Sequence, residues 1–341
     1  MRILMVTPEL PSPGHPGTMA PTARQIESIR ACGVDVDVLE VRGASKVKYL
    51  HRMGDLHSLA GSFDLIHAHY GFCGWLARSQ RTRPVVVSFM GDDLLGTPDA
   101  SGGVGAISRC VVRIDRWLAH RVDAVIVKSR AMARIVAPVI AHVIPNGVDL
   151  QAFRPLEMGD ARVLLGFDLG KRYVLFPGRP EEPRKGFPLA RDVVACAAGS
   201  LGERLDLCSL GGVTPDCVPL YMNACDAMVL TSFWEGSPNV VKEALACNLP
   251  VISVPVGDVG ELLAGVEGCT VCPRDVPQLS RALTHVLRRS RRTNGRATIA
   301  EKRLDLPSVA RRVVGVYRDV LSGNGRQQGR AAHQDSRTCV A

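Results

Sequence analysis

The chain has 341 residues, 46% hydrophobic and 22% charged, the balance of an ordinary folded protein long enough for about two domains. Its apolar runs are strand-length, well short of the roughly 18 residues of a membrane helix. The opening MRILMVTPEL reads as a first strand rather than a secretory leader, so the expected address is the cytosol. A net charge of +9 favours an anionic partner, while aromatic residues at 5%, not interleaved with basic side chains, disfavour nucleic acid.

In chain order, residues 2–7 predict a strand, PELPSPGHPG a loop, and Thr22–Ala31 a helix stopped by Gly33. GVDVDVLEV alternates, with Asp35 and Asp37 on the solvent face, which explains this DxD triplet without a metal. The strands FDLIHAHY, PVVVSFM and DAVIVKS each end in polar or glycine-bearing residues, as the carboxyl edge of an open parallel sheet does. Before the last of them, Arg109, Arg113 and Arg116 form a basic stripe on a helix whose other positions include Ile107, Val111 and Leu118. Such a stripe suits peripheral contact with anionic lipid headgroups, the alternative being a solvated face.

The stretch HVIPNGVDLQAFRP closes this half with a strand and an irregular turn. A second alternating half follows, with strands in YVLFPGR, RLDLCSLG, AMVLTS, PVISVPVG and CTVCP, and helices over Phe187–Cys196, Pro238–Cys247, Gln278–Arg289 and Val309–Leu321. From residue 322 the tail is poor in apolar residues and reads as disordered. The pattern predicts an α/β fold of two doubly wound, Rossmann-like domains, residues 1–152 and 153–308, facing each other across a cleft. The helix 309–321 is expected to pack back on the first domain. The cysteines sit mostly inside apolar segments as small hydrophobes; Cys269 and Cys272 form a CxxC without the second pair that zinc requires.

The most informative block is SFWEGSPNVVKEALACNLPVISVPVGDVGELL, residues 232–263. Pro238 as the first helical residue, with Ser237 as its cap, predicts a helix start whose free amides hold a phosphate, next to Gly236, Asn239 and Val240. Glu235 precedes this helix and Glu243 follows eight positions later, so both carboxylates could reach one ligand.

This block closely resembles the EX7E signature of the retaining family-4 glycosyltransferases of GT-B fold. IPNGVD at 144–149 resembles that family's interdomain segment, and PGRPEEPRKG at 177–186 its Gly-Arg and Lys-Gly pair; GDVGEL and DLIHAHYG are similar too. The resemblance implies a nucleotide-diphosphate sugar as donor substrate, held mainly by the second domain, and a hydroxyl acceptor on the first, with no cofactor and no metal required. Residue by residue, it implies Glu243 on the ribose hydroxyls, Glu235 on the sugar hydroxyls, and Arg179 with Lys185 on the diphosphate, Gly178 permitting close backbone approach. His69 and the loop bearing Met90, Gly91 and Asp93 are expected on the acceptor or sugar side, and Gly17 beside the donor phosphate or the acceptor. Met90 stands where many members carry His, which leaves the sugar contact open. His67 is read as structural, and Asp92 with Asp93 as a turn rather than a metal pair.

No carboxylate stands out as a nucleophile, so the resemblance implies a front-face route in which the leaving diphosphate helps deprotonate the attacking hydroxyl. A GT-B epimerase acting on the nucleotide sugar, or a nucleotide-sugar-binding protein without turnover, would use the same pocket. A dinucleotide-dependent oxidoreductase is disfavoured, since no GxGxxG follows the first strand.

Overall fold

The computed structural model describes residues 1–43, 47–97 and 103–323. The described residues divide into two units, one built from 1–97, 104–147 and 306–323, the other from 148–305 with residue 103. Most of the tail, residues 324–341, lies outside the described residues.

The first unit runs β1 (Arg2–Pro8), α1 (Ala20–Arg30), β2 (Asp35–Val41), α2 (Lys48–Ala60), β3 (Leu65–His69), α3 (Gly71–Ser79), β4 (Val85–Ser88), α4 (Asp92–Leu95), α5 (Ala106–Ala119), β5 (Ala124–Val127), α6 (Arg130–Val136) and β6 (Ala141–Val143). Its six strands are parallel in the order β2-β1-β3-β4-β5-β6. Strands β3 and β4 are buried along their whole length because helices cover both faces, and the polar side chains they carry, His67, His69 and Ser88, are hydrogen-bonded there. One face packs Val6, Ile66, Val87 and Val125 against Leu56, Leu76 and Leu118 from helices α2, α3 and α5. The other packs Ile3, Met5, Leu65 and Ile126 against Ile26 and Ile29 of α1.

The second unit runs α7 (Met158–Leu165), β7 (Arg172–Phe176), a single 3₁₀ turn (Pro183–Lys185), α8 (Phe187–Leu201), β8 (Leu205–Ser209), α9 (Val218–Ala224), β9 (Ala227–Leu230), α10 (Asn239–Ala246), β10 (Val251–Ser253), α11 (Val259–Leu263), β11 (Thr270–Val271), α12 (Val276–Arg289) and α13 (Gly295–Glu301). Its parallel sheet has the order β11-β10-β9-β7-β8. Both units are therefore Rossmann-like, and in each the chain reverses its direction of progress across the sheet once: between β1 and β3 in the first, between β7 and β9 in the second. Such switch points are where open α/β sheets present their ligand sites, at the carboxyl ends of the flanking strands.

The second unit begins at Val148 rather than 153 because the Val148 amide bonds the carbonyl of Leu304 at 2.8 Å, and Val148 and Phe153 belong to its core. The final helix, α14 (Leu306–Leu321), starts three residues before the expected position and returns to the first unit. Its buried stripe, Val309, Val313, Val316 and Tyr317, completes the core under α1. Asp35 and Asp37 are exposed and pair with Arg2 at 3.0 and 3.2 Å. The thiol of Cys269 accepts the Val251 amide at 3.3 Å, and burial pushes its pKa up to about 11, the state of an inert packing residue. Among the described residues no helix is long and apolar enough to cross a membrane.

Candidate functional site

In the second unit the loops that follow β7 and β9 flank the switch point, and they carry most of the residues that the sequence singles out. Three close approaches fix their shape. Gly186 has φ +68°, and a Cβ there would lie 2.4 Å from the Thr231 carbonyl oxygen. The Thr231 hydroxyl donates to the Lys185 carbonyl at 3.0 Å, and the Phe233 amide donates to the Arg184 carbonyl at 2.9 Å, so residues 184–186 are laced to 231–233. Gly178 is covered by the Lys185 side chain, which a Cβ would meet at 2.8 Å, while Ser209 donates to the Gly178 carbonyl at 2.6 Å. Only glycine leaves room for these contacts.

The product of this lacing is a charged cluster around Glu235. Lys185 Nζ lies 2.8 Å from Glu235 Oε1 and Arg184 lies 3.2 Å from Oε2, while the Ser232 hydroxyl donates to Oε1 at 2.8 Å. Burial alone raises the pKa of this carboxyl, but Lys185 and Arg184 outweigh it and hold the group below its ordinary range. Glu235 is thus ionised, an acceptor for hydroxyls rather than an acid. Arg179, in contrast, is exposed and forms no ion pair with any described residue. Arg184, Ser232 and Arg274, which donates to the Ser232 carbonyl at 3.1 Å, complete the cluster and were not foreseen. The adjacent basic pair in PRKG was the only signal for Arg184.

The capping expectation at α10 needs correction. Pro238 is the N-cap, with ψ 114°, and the helix begins at Asn239; Ser237 makes no capping bond. The reason is competition, since the Ser237 oxygen accepts a hydrogen bond from Lys242 at 3.2 Å instead. The start of the helix still leaves the amides of Asn239 and Val240 without backbone partners, beside the Gly236 and Ser237 turn. Glu243 is partly buried just over one turn into the helix. Three buried polar atoms around this loop, Trp234 Nε1, Asn239 Oδ1 and Asp258 Oδ1, find no hydrogen-bond partner among the described residues, the condition of groups that a polar ligand satisfies.

In the first unit His69 is fully buried at the carboxyl end of β3, its Nε2 3.2 Å from Gln25 Oε1. His67 bonds Tyr317 at 2.6 Å and Ser88 at 2.8 Å, a satisfied structural residue. Burial, with Lys128 nearby, pushes the His67 pKa down to about 3, and burial and His67 keep His69 neutral as well. The loop after β4 wraps the Asp93 carboxylate, which accepts from the amides of Met90, Gly91 and Leu94 at 2.9–3.1 Å. Asp93 is therefore a turn brace, and among the described residues no group of three potential ligands could hold a metal. Gly17 lies in the open loop before α1 with no atom within 4 Å of its missing Cβ. Arg109, Arg113 and Arg116 are exposed on α5, and so are Ile114, Trp117 and Ile107, the last at 79% although it shares a helix face with buried Leu118.

Comparison with known proteins agrees with this fold. Residues 2–147 match the model described as "Glycosyl transferase 4-like domain" and residues 190–289 that described as "Glycosyl transferases group 1", together more than two thirds of the chain. The TuaC protein of Bacillus subtilis (strain 168), named for teichuronic acid biosynthesis, is 29% identical over 240 residues, covering 65% of this chain and 60% of that protein. The D-inositol 3-phosphate glycosyltransferase of Mycobacterium tuberculosis (strain F11) is 28% identical over 268 residues, covering 67% and 55%. The chain thus spans under two thirds of the length of these relatives. Among solved structures, the sucrose-phosphate synthase of Thermosynechococcus elongatus superposes with a TM-score of 0.78 at 19% identity, covering 94% of this chain and 99% of that one. Anabaena HepE in complex with UDP-glucose superposes with a TM-score of 0.70 at 19% identity, covering 94% and 100%. Two Rossmann-like units, a glycosyltransferase model on each, and relatives of the same kind lead to one conclusion: the chain belongs to the group 1 glycosyltransferases, with their GT-B fold.

Proposed function

We propose that this protein is a retaining transferase that moves a sugar from a nucleotide diphosphate to a hydroxyl acceptor without a metal ion. The second unit takes the donor and the first unit the acceptor. The observation that carries this reading is the ionised Glu235, held by Lys185 and Arg184 beside the open amides of α10. A carboxylate accepts vicinal hydroxyls, while cations and helix-terminal amides suit a diphosphate.

In the reaction the acceptor oxygen forms a bond to the anomeric carbon on the face from which the diphosphate departs, and the hydroxyl proton passes to the leaving phosphate oxygen. Charge accumulates on that diphosphate, and Arg179, Lys185 and the α10 amides stabilise it. Glu235 orients the sugar, and Glu243 holds the ribose. His69 and the loop of Met90, Gly91 and Asp93 shape the acceptor or sugar side, Asp93 through the backbone it braces. The basic and apolar residues exposed on α5 suit an acceptor presented at an anionic lipid surface.

The test is a panel of UDP, GDP, ADP and TDP sugars with simple glycoside and lipid-linked acceptors, the product analysed by proton NMR. Transfer with the donor's anomeric configuration kept supports the reading. Inversion of configuration overturns it, as would epimerised donor or bound, unreacted donor with every acceptor.

A further inference from the structure

Lys242 occupies the middle of α10 with 1% of its surface exposed, among the fully buried Val241, Ala244 and Leu245. Nothing in the hydrophobic packing of the helix asks for an ammonium there, and burying one is unfavourable unless charge and hydrogen bonds compensate. Its partners show what compensates. Nζ donates to Ser237 Oγ at 3.2 Å, Ser237 bonds the Asp258 carboxylate, and the Lys242 and Asp258 charges attract each other. Asp258 belongs to the turn that opens α11, and that turn presses directly on the donor loop. Gly257 has φ +54°, and a Cβ there would lie 2.7 Å from the carbonyl oxygens of both Glu235 and Gly236. The lysine therefore joins, from below, the loop bearing Glu235 and the turn that packs on it.

We propose that Lys242 is a positioning residue for the donor: through Ser237 and Asp258 it fixes the 235–238 loop so that Glu235 and the amides of Asn239 and Val240 meet one bound nucleoside diphosphate. This deepens the function proposed above and rests on it. The ammonium also adds positive charge beneath a helix start that already attracts anions. The charged groups that act on it are Glu243 on its own helix and Asp258 from the turn that opens α11, and Glu261 on α11 acts on Asp258 in turn. From α13, Arg296 reaches the Ala246 carbonyl at the far end of the helix and Glu301 is exposed, and β10 carries no titratable side chain. Burial pushes the Lys242 pKa down to about 8, against the pull of Asp258 and Glu243. The link should then weaken at alkaline pH.

The experiment is calorimetric binding of UDP, GDP, ADP and TDP to the full chain at pH 7 and pH 9, using the tightest of the four for the variants. In wild type, affinity should fall about tenfold between the two, the worth of one charged hydrogen bond. Lys242→Met should bind about tenfold more weakly at pH 7 and lose its pH dependence. Lys242→Arg, which keeps its charge at pH 9, should restore binding there. Ser237→Ala, which changes no core volume, should weaken binding in the same direction and decides the matter if the Lys242 variants do not fold. Folded Lys242→Met or Ser237→Ala binding as tightly as wild type overturns the inference, as does Lys242→Arg with the wild-type pH fall. Wild type that binds none of the four nucleotides overturns the parent reading instead.

Discussion

At Glu235, burial favours the protonated carboxyl and two neighbouring cations favour the ionised one; the cations win. If Glu235 aligns the sugar as proposed, Glu235→Gln should lower kcat with little change in donor KM, because an amide keeps the volume while removing the charge. Lys185→Ala and Arg179→Ala should each lower kcat by about a hundred- to a thousandfold if they stabilise the departing diphosphate. The double variant should lose less than the product of the two, since both act on one leaving group. Rates within threefold of wild type at saturating donor would make them ordinary charges. A second residue-scale consequence concerns Asp115, whose carboxyl would sit 2.2 Å from a Cβ on Gly71, at the start of α3. Burial, then repulsion from Asp93, pushes its pKa up to about 7 from 3.8. An acid raised in the folded state loses stability as pH rises from its unfolded pKa through its folded one, here from about 4 to about 7. Asp115→Asn should match wild type in thermal stability near pH 4 and exceed it above pH 7, by up to ~4 kcal/mol. A gap that does not change with pH would show that Asp115 does not titrate in this window.

The strands and helices α1, α5, α8, α10, α12 and α14 were legible in the sequence, because a 2-residue period marks half-buried strands and a 3.6-residue period marks helices, whereas the remaining, mostly shorter helices were not singled out. α10 was found within one residue, yet its cap was misassigned: Ser237-Pro238 fits the capping rule, and only the spatial neighbour Lys242 shows why Ser237 is engaged elsewhere. Ile107 shows the same limit, since its helical angle matches Leu118 but burial depends on what other chain segments cover. Likewise Glu235 could be picked from spacing, whereas its tie to Arg184 spans 51 positions and is set by the lacing of two loops. That lacing is testable at Gly186: Gly186→Ala places a methyl against the Thr231 carbonyl at positive φ and should destabilise the fold by about 1–3 kcal/mol. A midpoint in urea unchanged from wild type would show that the loops tolerate separation. For α5, replacing Arg109, Arg113 and Arg116 with Gln should abolish sedimentation with vesicles of anionic lipid and leave zwitterionic vesicles unbound, as before. Equal binding of wild type and variant would mark the stripe as a solvated face.

For the molecule as a whole, transfer should survive EDTA if, as proposed, the charge on the leaving group is met by Arg179, Lys185 and helix amides rather than by a metal ion. Loss of all turnover with chelator, restored by Mg²⁺ or Mn²⁺, would refute this. The units differ in how the chain completes them. Residues 148–305 are contiguous, and their ends lie side by side, Val148 bridged to Asp305. The first unit instead receives α14 only after the second has been threaded in full, and it depends on that helix for Val313, Val316 and the Tyr317 hydroxyl that satisfies His67. On a ribosome the six-stranded sheet therefore emerges long before the helix that seals one of its faces. Ile3, Met5 and Leu65 wait partly uncovered while the inserted unit is synthesised. The first half of the chain to be made is thus the last to be finished, and a message or a ribosome that stops short of residue 306 releases a completed second unit joined to an unsealed first one.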